Sequence, residues 1–191
     1  MQYVPHKRIR CGPFATNDSS EPMHRRHFIS ATALGLPLIG SGALFAQDVA
    51  TPPKPAQLPP ELVKEFVRVG HNNLSDVQRM LKEQPGLLNA SWDVGGGDFE
   101  TALEGAGHVG DRDIAEYLIH QGARANIFVL TMLGRTLEVK ALLAAFPELL
   151  RSKGPHGLTL LHHANRGGGP ARDLLEHITR LGLTETKFTM P

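Results

Sequence analysis

The stretch that decides the fold is Thr101–Asn126, TALEGAGHVGDRDIAEYLIHQGARAN. Its pattern predicts two short helices and an exit turn. Thr101 opens the first helix and Gly110-Asp111 breaks it. In the second, Ile114, Tyr117, Leu118 and Ile119 lay an apolar stripe along one face at helical spacing. Gly122 stands where a helix ends and positive φ is wanted. Ala123-Arg124-Ala125-Asn126 then leads out.

The second helix recurs along the chain. Upstream, Leu74-Ser75-Asp76-Val77-Gln78-Arg79-Met80-Leu81 carries the same face. Downstream, Leu137-Glu138-Val139-Lys140-Ala141-Leu142-Leu143 repeats it, and Ala171 to Leu181 supplies a fourth version with Leu174, Leu175 and Ile178. Two exits match each other: Gln84-Pro85-Gly86-Leu87-Leu88-Asn89 parallels Phe146-Pro147-Glu148-Leu149-Leu150-Arg151. The spacings between second helices are uneven, with Val77 to Ile114 at 37, Ile114 to Val139 at 25 and Val139 to Leu174 at 35. The long first gap is read as an enlarged connecting finger, Ser91 to Glu100, around Gly95-Gly96-Gly97. The short second gap requires Ile127 to Leu133 to enter a helix almost directly, and Gly167 to Pro170 widens the last turn.

Thr101-Ala102-Leu103-Glu104, Gly110-Asp111, Ile114-Ala115 and Gly122-Ala123-Arg124-Ala125-Asn126 together resemble an ankyrin repeat, whose period is about 33 residues. A second opening motif, Gly157-Leu158-Thr159-Leu160-Leu161-His162-His163-Ala164, is similar to the family's Gly-x-Thr-Pro-Leu-His-x-Ala apart from Leu160. The resemblance implies an all-α fold, an ankyrin-like helical-repeat solenoid of about four helix pairs over residues 61–183, with a disordered or extended N-terminal segment. Each pair is too small to bury its own stripe, so stacking neighbours must complete the core. Leu103, Leu118, Leu142, Leu161 and Leu175 are expected between layers. Thr159 is expected to cap its helix, and His162 to hydrogen-bond the adjoining turn. Glu61 to Val69 reads as a degenerate opener acting as a cap.

Residues 1–46 read as a leader with an export signal. Arg25 and Arg26 precede Phe28 and Ile29, and no charge follows from Phe28 to Gln47. This resembles a twin-arginine signal, with cleavage after Ala43 or after Ala46. The alternative is an uncleaved anchor, since the uncharged run is about 20 residues, long enough to span a bilayer. Met23, directly before the basic pair, is an alternative start. Residues 47–60 hold Pro52, Pro53, Pro55, Pro59 and Pro60, a semi-rigid linker. Residues 184–191 form a tail with no readable signal.

Charge and composition narrow the function. Lys7, Arg8, Arg10, Arg25 and Arg26 against Asp18 and Glu21 give the first 46 residues a balance of +3, so a chain of formal charge +1 leaves −2 for the rest. That weakly acidic body argues against a nucleic-acid partner. Cys11 is the single cysteine, which excludes an internal disulfide and a Cys-based metal site.

No catalytic signature stands out. Gly95-Gly96-Gly97 lacks the Lys-Ser/Thr of a phosphate loop, and no Gly-x-Ser-x-Gly occurs. Asp111 and Asp113 stand at a helix start, where acids complement the dipole. His162 and His163 are adjacent on a helix, about 100° apart, so they do not suit one ion. His71, His108, His120 and His177 read as scattered, without paired spacing. The sequence therefore implies no catalytic, cofactor or metal residues. The expected function is a non-enzymatic, monomeric ankyrin-like module, exported to a bacterial periplasm, that binds another protein. The alternatives are a membrane-tethered adaptor and an exported protein that binds a ligand or metal. Candidate binding residues lie on the finger and on the concave face of the first helices: Trp92, Asp93, Asp98, Phe99, Glu104, His108, His156, His163 and Arg166. Trp92 and Phe99 are the natural anchors.

Overall fold

The computed structural model describes residues 54–190. The leader, the signal residues Arg25, Arg26 and Phe28, and the first part of the linker lie outside them. Among the described residues the helices are α1 (Pro60–Val69), α2 (Leu74–Glu83), α3 (Ala102–Val109), α4 (Arg112–His120), α5 (Ile127–Met132), α6 (Thr136–Ala145), α7 (Leu160–Gly167) and α8 (Arg172–Arg180). One hairpin, β1 (Ser91–Asp93) with β2 (Phe99–Thr101), stands between α2 and α3. The chain is helix-dominated, as expected of an all-α fold.

Side-chain caps fix the helix starts. The Asn73 carbonyl oxygen accepts from Asp76 N–H at 3.0 Å, Asp111 from Ile114 N–H at 3.0 Å, and Asn126 from Phe128 and Val129 N–H at 3.1 Å each. Thr101 and Glu104 form a reciprocal capping box at α3. Thr159 caps α7 through His162 N–H at 3.4 Å, as its motif predicted. Gly122 takes φ 94° after α4, a conformation that penalises any Cβ.

Consecutive helices pack as pairs: α1 with α2, α3 with α4, α5 with α6, and α7 with α8. The first helices then line up α1–α3–α5–α7, each against the next, while α2 packs on α4 and α6 on α8. Two apolar clusters fill the space between the layers. One gathers Phe66, Val77, Leu103, Ile114 and Leu118; the other gathers Val139, Leu160, Leu161, Leu174 and Ile178. The six-residue α5 joins them, giving Val129 and Met132 to the first and Ile127 and Phe128 to the second. It begins directly after its Asn126 cap, which is how the short second gap is accommodated. Leu103, Leu118 and Leu161 are buried as expected, whereas Leu142 and Leu175 are half-buried at the cluster edge.

Three regions carry more structure than their sequence announces. The first opener is a complete helix: α1 starts at Pro60, one residue before the expected Glu61, and buries Val63, Phe66, Val67 and Val69. Its pattern is a full amphipathic stripe, and truncating the fully buried Phe66 would cost about 3–5 kcal/mol. The glycine-rich finger is a paired hairpin, with Trp92 opposite Glu100, and its turn is held by Asp93 Oδ1, which accepts from Gly95 and Gly97 N–H at 2.9 and 3.1 Å. The tail, which carries no readable signal, is docked. Thr159 N–H donates to Thr186 O at 3.1 Å, Phe188 N–H to Gly157 O at 2.8 Å, and Lys153 Nζ to Thr189 O at 2.8 Å. These bonds pin the Pro155–Gly157 turn, which carries His156.

Candidate metal centre

Four elements converge on one carboxylate. On β2 the alternation of side chains turns Phe99 outward and Glu100 inward, where it is 2% exposed. His71 lies in the turn after α1, His108 in the last turn of α3, and His156 in the Pro155–Gly157 turn. His108 Nε2 lies 2.8 Å from Glu100 Oε1, His156 Nε2 3.4 Å, and His71 Nε2 3.6 Å. The Nε2 atoms of His71 and His108 are 3.0 Å apart. Despite this crowding, no hydrogen bond of acceptable direction reaches Oε1, a buried carboxylate oxygen. An ionised carboxylate taken out of water without a donor costs several kcal/mol unless a cation or proton compensates.

The outer hydrogen bonds decide which nitrogens face inward. His71 Nδ1 is 3.0 Å from Val67 O, which can only accept, so Nδ1 carries the proton and Nε2 presents its lone pair. His156 Nδ1 is 2.9 Å from Asp98 Oδ2, with the same consequence. Backbone carbonyl and carboxylate partners of this kind orient metal-bound imidazoles. His162 Nε2–H donates to His108 O at 2.8 Å and so holds the turn behind His108. At Gly105 a Cβ would lie 2.9 Å from His71 Nδ1, so the absence of a side chain makes room for the ring.

His156 is held under strain. It has φ 60°, the one positive φ among the described non-glycine residues. Asp98 stabilises that geometry by accepting from His156 N–H at 2.9 and 3.1 Å as well as from the ring. Burial pushes the Asp98 carboxyl up, but the backbone and ring hydrogen bonds from His156, its charge and that of Lys187 outweigh burial and hold it below its ordinary value.

The donor set fits a divalent first-row ion. His71, Glu100 and His108 offer one ligand atom each, all within 4.8 Å of one another. A tetrahedral ion with bonds of about 2.0–2.1 Å needs donors about 3.3 Å apart, and the measured 2.8, 3.0 and 3.6 Å bracket that value. His156 stands outside this compact set, with its Nε2 3.4 Å from Glu100 Oε1 and its ring edge-on to that of His108 at 5.2 Å between centroids.

The expected binding residues divide accordingly. Asp98, His108 and His156 come together here. Trp92 is half-buried beside the site, with Lys64 Nζ 5.5 Å from its ring centroid. Phe99 is 59% exposed at the hairpin, and Asp93 and Arg166 are also exposed. Glu104 is structural: it closes the capping box and accepts from Asn126 Nδ2 at 2.8 Å. His163 is not a surface residue. It is buried, its Nδ1–H donates to Thr159 O at 2.8 Å, and burial pushes its pKa down to about 4. Reading His71 and His108 as scattered was an error, because the fold puts them in direct contact. Glu100 was seen only as the end of a finger.

No family model matches this chain, and neither a curated protein nor a solved structure matches it significantly. Among the described residues no helix is long and apolar enough to cross a membrane.

Proposed function

We propose that this chain is a metal-binding protein on an ankyrin-like helical-repeat scaffold, holding one divalent transition ion through His71 Nε2, His108 Nε2 and Glu100 Oε1. The observation that carries this reading is the convergence of two imidazole nitrogens on a buried carboxylate oxygen that no hydrogen bond reaches. Two imidazoles and one carboxylate suit zinc and its first-row neighbours, and three protein ligands leave a fourth position open. The stacked helix pairs and the two Thr-led openers support the ankyrin-like reading. The Arg25-Arg26 signal supports export in folded form to a periplasm.

Calorimetric titration of the full chain with Zn²⁺ tests the reading. One equivalent is expected to bind, and a His71→Ala, His108→Ala double variant is expected to bind none. Equal binding by the variant refutes the assignment.

A second reading is favoured by the hairpin. Val94 and Phe99 are 52% and 59% exposed there, so the hairpin is the surface through which the protein would engage another protein.

A further inference from the structure

A cleft of about 270 Å³ borders the centre. It is lined by His71, Glu100 and His156, so two of the three proposed ligands border it, His71 half-buried and Glu100 buried. Its walls are Val67, Trp92 and Val94, and its rim carries Lys64 and Arg68 from α1. The walls are apolar and aromatic, while the rim is cationic. Arg68 is already paired with Glu65 through hydrogen bonds of 2.7 and 2.6 Å. Lys64 has no acidic partner within ion-pair distance among the described residues, and its ammonium lies over the Trp92 ring.

Resting on the metal reading above, we infer that this cleft binds a small aromatic or apolar monocarboxylate whose carboxylate takes the open position on the ion. Four features define that class. A divalent ion with two neutral imidazoles and one carboxylate carries a net charge of +1 and so favours a monoanion. A carboxylate oxygen is a normal ligand for such an ion. Lys64 adds a second positive charge above the cleft and disfavours ammonium ligands. The Trp92 face and the two valines give an apolar body a wall to pack on, which a bare inorganic anion cannot use. The cleft lies below the roughly 300–1,000 Å³ of sites for drug-sized ligands, so one ring with one acidic group fills it.

The test uses full-chain protein loaded with Co²⁺, whose visible spectrum reports a change in its own ligands. Benzoate is expected to alter that spectrum saturably, at a concentration at least tenfold below acetate, while phosphate has less effect than either. Val94→Asp places an acid in an exposed wall. It is expected to weaken benzoate at least tenfold and leave Co²⁺ uptake unchanged. Bound Co²⁺ with a spectrum indifferent to benzoate, equal responses to benzoate and acetate, or a preference for phosphate each overturns the ligand assignment and leaves the metal reading standing. A chain that takes up no Co²⁺ overturns both.

Discussion

His71 and His108 meet with their Nε2 atoms 3.0 Å apart, although 37 residues separate them. The same interval separates Val77 of α2 from Ile114 of α4. Each histidine closes the first helix of its pair, and α1 packs against α3. The stacking of neighbouring pairs therefore superposes equivalent positions, and a donor repeated at that interval becomes a pair of donors. Glu100 completes the set because the hairpin occupies the same gap.

Glu100→Gln keeps the shape of the side chain, removes its charge and supplies an amide donor. Metal affinity is expected to fall at least a hundredfold. The metal-free protein is expected to gain about 1 kcal/mol, since the amide can donate where the carboxylate oxygen had no partner. For a domain of this size that is a rise of about 3–5 °C in Tm, read by calorimetry without metal. A fall in metal-free Tm contradicts the account of Oε1.

Gly105→Ala separates helix stability from site geometry. Alanine favours the interior of α3 by up to about 1 kcal/mol, but the new Cβ meets the His71 ring at 2.9 Å. Stability is expected to change little, while zinc affinity drops about tenfold as the ring is displaced. Unchanged affinity would show that the observed ring position is not the ligating one.

Between pH 6.5 and about 4 the protein is expected to lose stability through His163. Burial holds its folded pKa at about 4, below the 6.5 of the exposed ring. The unfolded chain binds the proton first, so stability is fully present above pH 6.5 and declines as pH falls toward 4. The loss is on the order of 3 kcal/mol. Urea unfolding of the metal-free protein across this range measures it, and His163→Gln is expected to flatten the slope.

Asp98 acts in a lower window. Its folded pKa lies below the ordinary 3.8, so its contribution is present above that value and is lost as pH falls further. Asp98→Asn is expected to remove this acid-limb contribution. It is also expected to cost about 1–3 kcal/mol at neutral pH, because the strained His156 turn loses a charged acceptor. The readout is the difference in unfolding free energy between wild type and variant at pH 7 and at pH 3.

The helices were legible because their signals are local. Thr101, Asp111 and Thr159 announce starts, and the stripes of α2, α4 and α8 announce buried faces. The site was not, because its groups come from a helix end, a helix turn, a strand and a strained turn. Adjacency of His162 and His163 drew attention to a pair that helical geometry separates. The informative pair lay one repeat interval apart. Only the tertiary fold shows that Glu100 points inward, since a three-residue strand carries too little alternation to fix its face. Docking of the tail was equally hidden, because Thr186 and Phe188 are held through backbone groups that leave no mark on residue choice.

X-ray absorption at the zinc edge of the full chain, loaded with one equivalent and washed, tests the central claim most directly. The account predicts a tetrahedral first shell of nitrogen and oxygen at about 2.0–2.1 Å, with the outer-atom signature of two imidazoles, one of which is lost in His71→Ala. A shell of water oxygens alone, an imidazole count that His71→Ala leaves unchanged, or failure to retain zinc would contradict it.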